Sequence, residues 1–190
     1  LSSYIETSLQ RAVWYPTTIA SNDRKAWKLL KFYLNATSDT LEPLPFMLHD
    51  FGARGVSSQE TAAIGGMAHM VYFMGSDTVD GVRAANFYYD CDMAGFSVAA
   101  SEHSVQCSFG PIAQRDYLNN MIDKYAKPGK IVSIVLDGYD VYRESEILCS
   151  PEFVEKIKAS GAKVVFRPDS GDPLEVIPRI LDMQASSYGY

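Results

Sequence analysis

From Phe46 to the end of the chain, short apolar runs alternate with amphipathic stretches. Phe46–His49 predicts a strand, and Ser57-x-x-Glu60 forms a capping box that starts a helix through Ala68. Met70–Phe73 predicts a second strand, with Thr78 placed to cap a helix to about Tyr89. Phe96–Ala100 is the third strand, and Pro111 suits the first turn of a helix reaching Lys127. Ile131–Leu136 is β-branched and continuously apolar, the clearest strand signal in the chain. Helices follow at Val141–Leu148 and Glu152–Ser160, the latter stopped by Gly161. Val164–Phe166 is the fifth strand and Leu174–Met183 the last helix. Ahead of this pattern, residues 1–45 read as helical. Ser2 or Ser3 caps a segment to Trp14, Pro16 interrupts it, and a second helix carries Ile19, Trp27, Leu30 and Leu34. Ser38–Pro45 is a loop.

Five strand–helix units in series predict α/β architecture with parallel strands. Periodicity alone does not separate a doubly wound sheet from a (β/α) barrel. The polar residues that follow the strands favour the barrel: His49, Asp50 and Arg54 after the first, Asp77 after the second, Glu102 and His103 after the third. Asp137 and Asp140 follow the fourth, Arg167 and Asp169 the fifth. Barrel enzymes build one site from the carboxyl ends of many strands, whereas a doubly wound sheet concentrates its site at one crevice. Helix caps and turns also enrich Asp and Ser at such places, which accounts for Asp77 and Asp140 but less well for Arg54, His103 and Arg167 together. Because a barrel needs about eight units, residues 46–190 are expected to be the first part of an incomplete one, preceded by the helical segment 1–45.

Composition narrows the function classes. Hydrophobic residues make up 47% of the 190 and charged residues 21%, which is core-forming material and not the makeup of a disordered chain. A net charge of −6 disfavours nucleic acid as a partner, although a few clustered cations or a divalent metal can still receive a small polyanion. No apolar run is long enough to span a bilayer, and the opening residues, lacking a basic stretch followed by an apolar run, are not expected to be a signal peptide. Cys91, Cys107 and Cys149 are odd in number and lack C-x-x-C spacing, so a reducing, cytoplasmic location is expected.

Three segments carry candidate chemistry. In His49–Thr61, two glycines permit a tight turn, Phe51 can stack on a flat heteroaromatic ring, and Arg54 offers a planar fork for phosphate or carboxylate. The same residues also fit a plain glycine turn with Phe51 in the core. In Arg167-Pro168-Asp169-Ser170-Gly171-Asp172-Pro173, Arg167 can hold pyrophosphate and Asp169 a ribose hydroxyl or magnesium, while Ser170-Gly171 can present N–H groups ahead of the last helix. An Asp- and Pro-rich helix start is the bland alternative. In Ser101-Glu102-His103-Ser104, His103 can contact phosphate, carry a proton or be structural. His69 reads as structural.

The run HDFGARGVSSQETAAIGG, followed in order by SDTVDG, SVAASEHS, LDGYDVY and RPDSGDPL, resembles the nicotinamide phosphoribosyltransferases of the type II phosphoribosyltransferase family. With WYPTTIASN upstream, the resemblance covers nearly the whole chain. It implies the barrel fold of that family, in a homodimer with active sites at the subunit interface. It implies transfer of a phosphoribosyl group from phosphoribosyl pyrophosphate (PRPP) to nicotinamide in NAD salvage, with magnesium required and ATP as an optional coupling substrate. Phe51 would stack on nicotinamide, Asp77 would accept its carboxamide N–H, and Ser97 would join the substrate-binding set. Arg54, His103 and Arg167 would contact phosphates, and Asp169 would hold ribose hydroxyls and, as a metal ligand, magnesium. His103 and Asp137 would form the catalytic pair, His103 taking a phosphoryl group from ATP and Asp137 orienting the imidazole.

Gly55 stands where nicotinate-using relatives tend to carry a second arginine, which favours the amide substrate. A nicotinate phosphoribosyltransferase and a non-catalytic protein retaining the fold are the rival readings. The resemblance further implies an aromatic from an N-terminal region, a Gly-Asp-Gly strand end and a glycine-rich loop for the PRPP 5′-phosphate, and these are not in the sequence. The chain alone is therefore expected to be an inactive internal piece of an active enzyme.

Overall fold

In the computed structural model, which describes residues 2–189, the chain opens with one helix where the sequence predicts two. Helix α1 (Ser2–Thr37) runs through Pro16 without a break. Proline removes one N–H from the ladder and its ring crowds the preceding turn, at a cost of about 3 kcal/mol. The hydroxyls after it bond back into the same turns, Thr17 Oγ1 donating to the carbonyl of Val13 at 2.5 Å and Thr18 Oγ1 to that of Trp14 at 2.8 Å. Tertiary contacts hold the far half, where the Trp27 ring meets Phe73 edge-on at 5.4 Å.

Two compact units divide the chain between Ser97 and Val98. In the first, α1 is followed by β1 (His49–Asp50), α2 (Gln59–His69), β2 (Gly75–Ser76) and α3 (Val79–Tyr88). β1 and β2 pair in parallel, and Phe96 adds a parallel bridge to Gly75. Two predicted strands have moved. Leu44–Phe46 forms a 3-10 turn, since Pro45 lacks the N–H a ladder needs. The apolar run Met70–Phe73 is a turn that extends the hydrogen bonding of α2, with Phe73 N–H on the His69 carbonyl at 3.1 Å. Phe73 is fully buried there, so its apolarity reports core and not strand. Ser58, one residue later than predicted, caps α2 by accepting the Thr61 N–H at 3.1 Å. Helices α2 and α3 touch through glycine: a Cβ on Gly81 would stand 2.6 Å from the Cα of Gly66.

The second unit contains β3 (Ala99–Ala100), α4 (His103–Phe109), α5 (Gln114–Tyr125), β4 (Ile131–Val135), α6 (Val141–Leu148), α7 (Pro151–Ser160), β5 (Lys163–Arg167) and α8 (Pro173–Tyr188). Its strands lie in the order β3-β4-β5, all parallel, with Ile131 opposite Lys163 and Val135 opposite Arg167. The core forms where β4 meets the helices, and Ile134, Leu136, Leu118, Leu148 and Phe153 are fully buried. The helix predicted from Pro111 to Lys127 is present as α5, starting three residues later, and α4 is an additional helix ahead of it that ends at Gly110, whose φ is +77°. Glu102 starts α4 by accepting the Ser104 N–H at 2.7 Å.

The parallel α/β architecture is as expected, and the described residues do not form a closed barrel. No helix among them is long and apolar enough to cross a membrane. All three cysteines are unpaired.

Candidate functional site

In the first unit, the ends of β1 and β2 bring His49, Phe51, Asp77 and Ser97 together. The Asp77 N–H bonds to the Asp50 carbonyl at 2.9 Å, which sets Asp77 beside the end of β1. His49 Nε2 lies 3.4 Å from Asp77 Oδ2, and Ser97 Oγ donates to Asp77 Oδ1. Phe51 is 39% exposed, with its ring 4.8 Å from that of His49, so an aromatic face is offered at the surface and not sunk in the core. Asp50 Oδ1 accepts the Gly52 N–H at 2.7 Å and fixes the turn that follows. Arg54 lies exposed in the 3-10 turn Gly52–Gly55. Beside Phe51, a cavity of about 290 Å³ reaches inward to Gly66, His69 and Thr78. A wider, open hollow of about 810 Å³ between α2 and α3 holds none of the candidate residues.

His69 has a structural place. It is buried, with Nδ1 2.9 Å from Asp23 Oδ2 and Nε2 3.0 Å from the Gly75 carbonyl. Two acceptors on two ring nitrogens require both to be protonated. Burial opposes that charge, but the hydrogen bond and negative charge of Asp23 outweigh it, and the His69 pKa stands above its ordinary value. The pair ties α1 to α2 in the wall of the cavity.

In the second unit, the carboxyl ends of β3, β4 and β5 hold the remaining residues. His103 Nε2 lies 2.9 Å from Asp137 Oδ1 and 3.7 Å from Asp169 Oδ2. The side chain of Asp137 is only 6% exposed, whereas that of Asp169 is 52% exposed, so one carboxylate is fixed in the fold and the other faces solvent. Burial pushes the Asp137 carboxyl up, but hydrogen bonds from Ser170 and His103 and the charge of His103 more than reverse this, leaving it below the usual carboxylate range. Arg167 Nη2 donates to the Ser101 carbonyl at 2.8 Å. Since Ser101 follows β3 and Arg167 ends β5, the side chain spans about two strand spacings of ~4.8 Å, crossing the end of β4. Pro168, Asp169, Ser170 and Gly171 line a hollow of about 250 Å³.

The structure thus gathers Phe51, Asp77 and Ser97 in one unit and His103, Asp137, Asp169 and Arg167 in the other. It adds partners that the pattern did not single out. His49 was visible only as a residue after a strand, and Ser170, read as an N–H donor, uses its side chain on Asp137. No group of three or more His, Cys, Asp or Glu among the described residues could hold a metal. Asp169, an exposed carboxylate 3.7 Å from His103, fits a magnesium ion carried on a phosphate group, since that ion is commonly held by one or two carboxylates plus phosphate oxygens and water.

Comparison with known proteins follows the same residues. The model of a family described as "Nicotinate phosphoribosyltransferase (NAPRTase) family" matches residues 46–189. A protein of Xanthomonas campestris pv. campestris (strain 8004) named nicotinamide phosphoribosyltransferase is 45% identical over 99% of this chain and 40% of its own length. Proteins of the same name from Acinetobacter baylyi and Mycoplasma pneumoniae are 36% and 33% identical, over 93% and 90% of this chain and 36% and 35% of their own lengths. The chain spans 40% or less of each of these relatives.

Proposed function

The chain belongs to the nicotinate phosphoribosyltransferase family, and from that premise we propose that this protein transfers the phosphoribosyl group of PRPP to nicotinamide, releasing pyrophosphate. The observation that carries the reading is the polar cluster on three parallel strand ends, with His103 between Asp137 and Asp169 and Arg167 lying across the end of β4. The names of the relatives favour nicotinamide over nicotinate as acceptor.

The roles follow from charge. As the bond from the anomeric carbon to pyrophosphate breaks, positive charge grows on the ribose and negative charge on the leaving group. Arg54 and Arg167 stabilise the latter, and do so most effectively where water is excluded. Asp169, exposed and acceptor-only, takes the ribose hydroxyls and would be the residue to hold a magnesium ion bound to PRPP, which would screen the charge growing on the leaving group. The pyridine nitrogen of nicotinamide attacks without a base. Phe51 stacks on the ring. Asp77 accepts the carboxamide N–H, since a carboxylate has about four lone-pair sites and His49 and Ser97 engage only part of them. A nicotinate carboxylate at that place would face a like charge.

His103 serves the coupling to ATP. With Asp137 holding one ring nitrogen as N–H, the lone pair of the other is free to attack the γ-phosphorus. The N–P bond forms, the bond to ADP breaks, and water later returns the phosphoryl group as phosphate. We further propose a (β/α) barrel of the type II phosphoribosyltransferase kind, which the wholly parallel pairing in chain order supports. A homodimer in the cytoplasm completes the reading. Tyr4, Trp14, Phe32 and Tyr33 on α1, each more than half exposed, give it apolar surface to bury.

The test is PRPP binding to the full-length protein by calorimetry. Arg167→Leu and Asp169→Asn are each expected to weaken it about 10- to 100-fold, the loss of a charged hydrogen bond at about 1.5–3 kcal/mol. Binding that neither substitution alters would refute the assignment of this cluster to PRPP.

A further inference from the structure

Beneath the loop that carries Asp137 lie two polar side chains with no exposed surface. Gln106 on α4 and Glu144 on α6 are both 0% exposed. The Gln106 carboxamide is used at both ends: Nε2 donates to Glu144 Oε2, and Oε1 accepts the Gly138 N–H at 3.1 Å. These partners dictate its rotation. The Gly138 N–H can only donate and demands the amide oxygen; the amide nitrogen then demands an acceptor, which the Glu144 carboxyl supplies. The fit is close, since a Cβ on residue 138 would stand 2.4 Å from Gln106 Oε1.

Burying two polar residues is costly, and an apolar pair of similar volume would serve stability as well or better. What the polar pair adds is a connection. Gln106 stands one turn after His103 on α4, and Gly138 follows Asp137, so the amide links the same two segments that the 2.9 Å bond from His103 to Asp137 links. One bond fixes a separation; two fix a rotation as well. Burial, helped by the negative charges of Asp137 and Asp140 and opposed by the Gln106 hydrogen bond, pushes the Glu144 carboxyl up to about 8. It is therefore largely neutral at pH 7 and spares Asp137 a second buried charge.

We propose that Gln106 and Glu144 are a positioning pair: Glu144 sets the rotation of the Gln106 amide, Gln106 holds the Asp137–Gly138 backbone, and the alignment of His103 with Asp137 depends on both. The pair rests on the reading of His103 and Asp137 given above.

In the full-length protein, Gln106→Leu and Glu144→Leu are expected to lower kcat with ATP about 10- to 100-fold, as a small misplacement of a catalytic group does, with KM for nicotinamide changed by less than about threefold. The downfield His103 ring N–H proton signal is expected to broaden or vanish in both. Glu144→Gln, which keeps an acceptor for the Gln106 amide, recovers kcat to within about fivefold of wild type. Should the leucine variants not fold, Gln106→Glu is the single variant to use; combined with Glu144→Gln it reverses donor and acceptor, and the double variant is expected to regain what Gln106→Glu alone loses. Leucine variants with a lower melting temperature but unchanged kcat and His103 signal overturn the proposal, as does a double variant no better than Gln106→Glu. Asp137→Asn is run alongside. If it keeps full kcat, the reading of the His103–Asp137 couple is wrong and the pair has nothing to position. If it loses kcat while the leucine variants do not, only the pair is refuted.

Discussion

Gly81→Ala should destabilise this protein, although a helical Gly→Ala change ordinarily does the opposite. At an open helical site alanine gains about 0.4–1 kcal/mol, because it restricts the unfolded chain and favours the helix. At Gly81 the new Cβ would lie 2.6 Å from the Cα of Gly66 and 3.0 Å from its carbonyl carbon. Carbon atoms pack at about 3.5–4.0 Å, so α2 and α3 would have to part by roughly 1 Å. Both obstructing atoms are backbone, so no side chain can swing away. Overpacking of this kind costs about 1–3 kcal/mol, which leaves a net loss of up to about 2 kcal/mol, or a melting temperature lower by up to about 8 °C for a chain of this length. Gly65→Ala is the control: its Cβ would meet the Tyr15 hydroxyl at 2.9 Å and Ile19 Cδ1 at 3.2 Å, both side-chain ends that can shift, and a smaller loss is expected. The assay is denaturant unfolding of the three proteins side by side. Because α3 begins just after Asp77, Gly81→Ala should also raise KM for nicotinamide in the full-length protein. A Gly81→Ala protein as stable as wild type, or more so, would refute the argument that these helices meet at bare backbone.

Four further outcomes follow from the structure. Asp23→Leu removes the partner of a buried cation and should cost about 3–5 kcal/mol. With the His69 pKa raised, that stabilisation is complete below the ordinary value of 6.5 and fades as pH rises through the elevated one, so unfolding curves of wild type and variant should converge on the alkaline side. Asp137→Asn should cost about 1–3 kcal/mol, and because the Asp137 pKa is lowered, the difference should persist above 3.8 and vanish as pH falls through the lower folded value. Glu144→Gln should gain stability relative to wild type as pH rises from 4.5 to about 8, the interval in which the folded state holds a proton that the unfolded state has released. Asp77→Ser, in competition assays on the full-length protein, should erode the preference for nicotinamide over nicotinate, and an unchanged ratio would remove Asp77 from the acceptor site.

Local signals were readable in the sequence wherever one physical cause dominated. Ile131–Leu136 is β-branched and apolar without interruption, and it forms the central strand of its sheet. Val141–Leu148, opened by Asp140 as a cap, has the predicted bounds. Reading failed where tertiary contacts overrode a local rule. Pro16 forecast a break, yet α1 runs through it, its far half held by the packing of Trp27 on Phe73. The apolarity of Met70–Phe73 reflects burial of a turn, which a run of this length cannot distinguish from a strand. Helix α4 was missed because SEHS was read as the end of a strand, although Glu102 is a competent cap two residues before the Ser104 N–H that it accepts. Candidate side chains could be named because Arg, His and Asp after strands are chemically conspicuous. Their supports could not: Gln106 and Glu144 look like solvated helix residues until three-dimensional burial makes them a pair.

The most direct measurement is a comparison of initial rates for the full-length protein given PRPP with nicotinamide or with nicotinate. A carboxylate at Asp77 that accepts an amide N–H predicts nicotinamide mononucleotide as the product, with nicotinate poorer by a factor on the order of 10⁴. Faster turnover of nicotinate, or mononucleotide from neither base, would contradict the account.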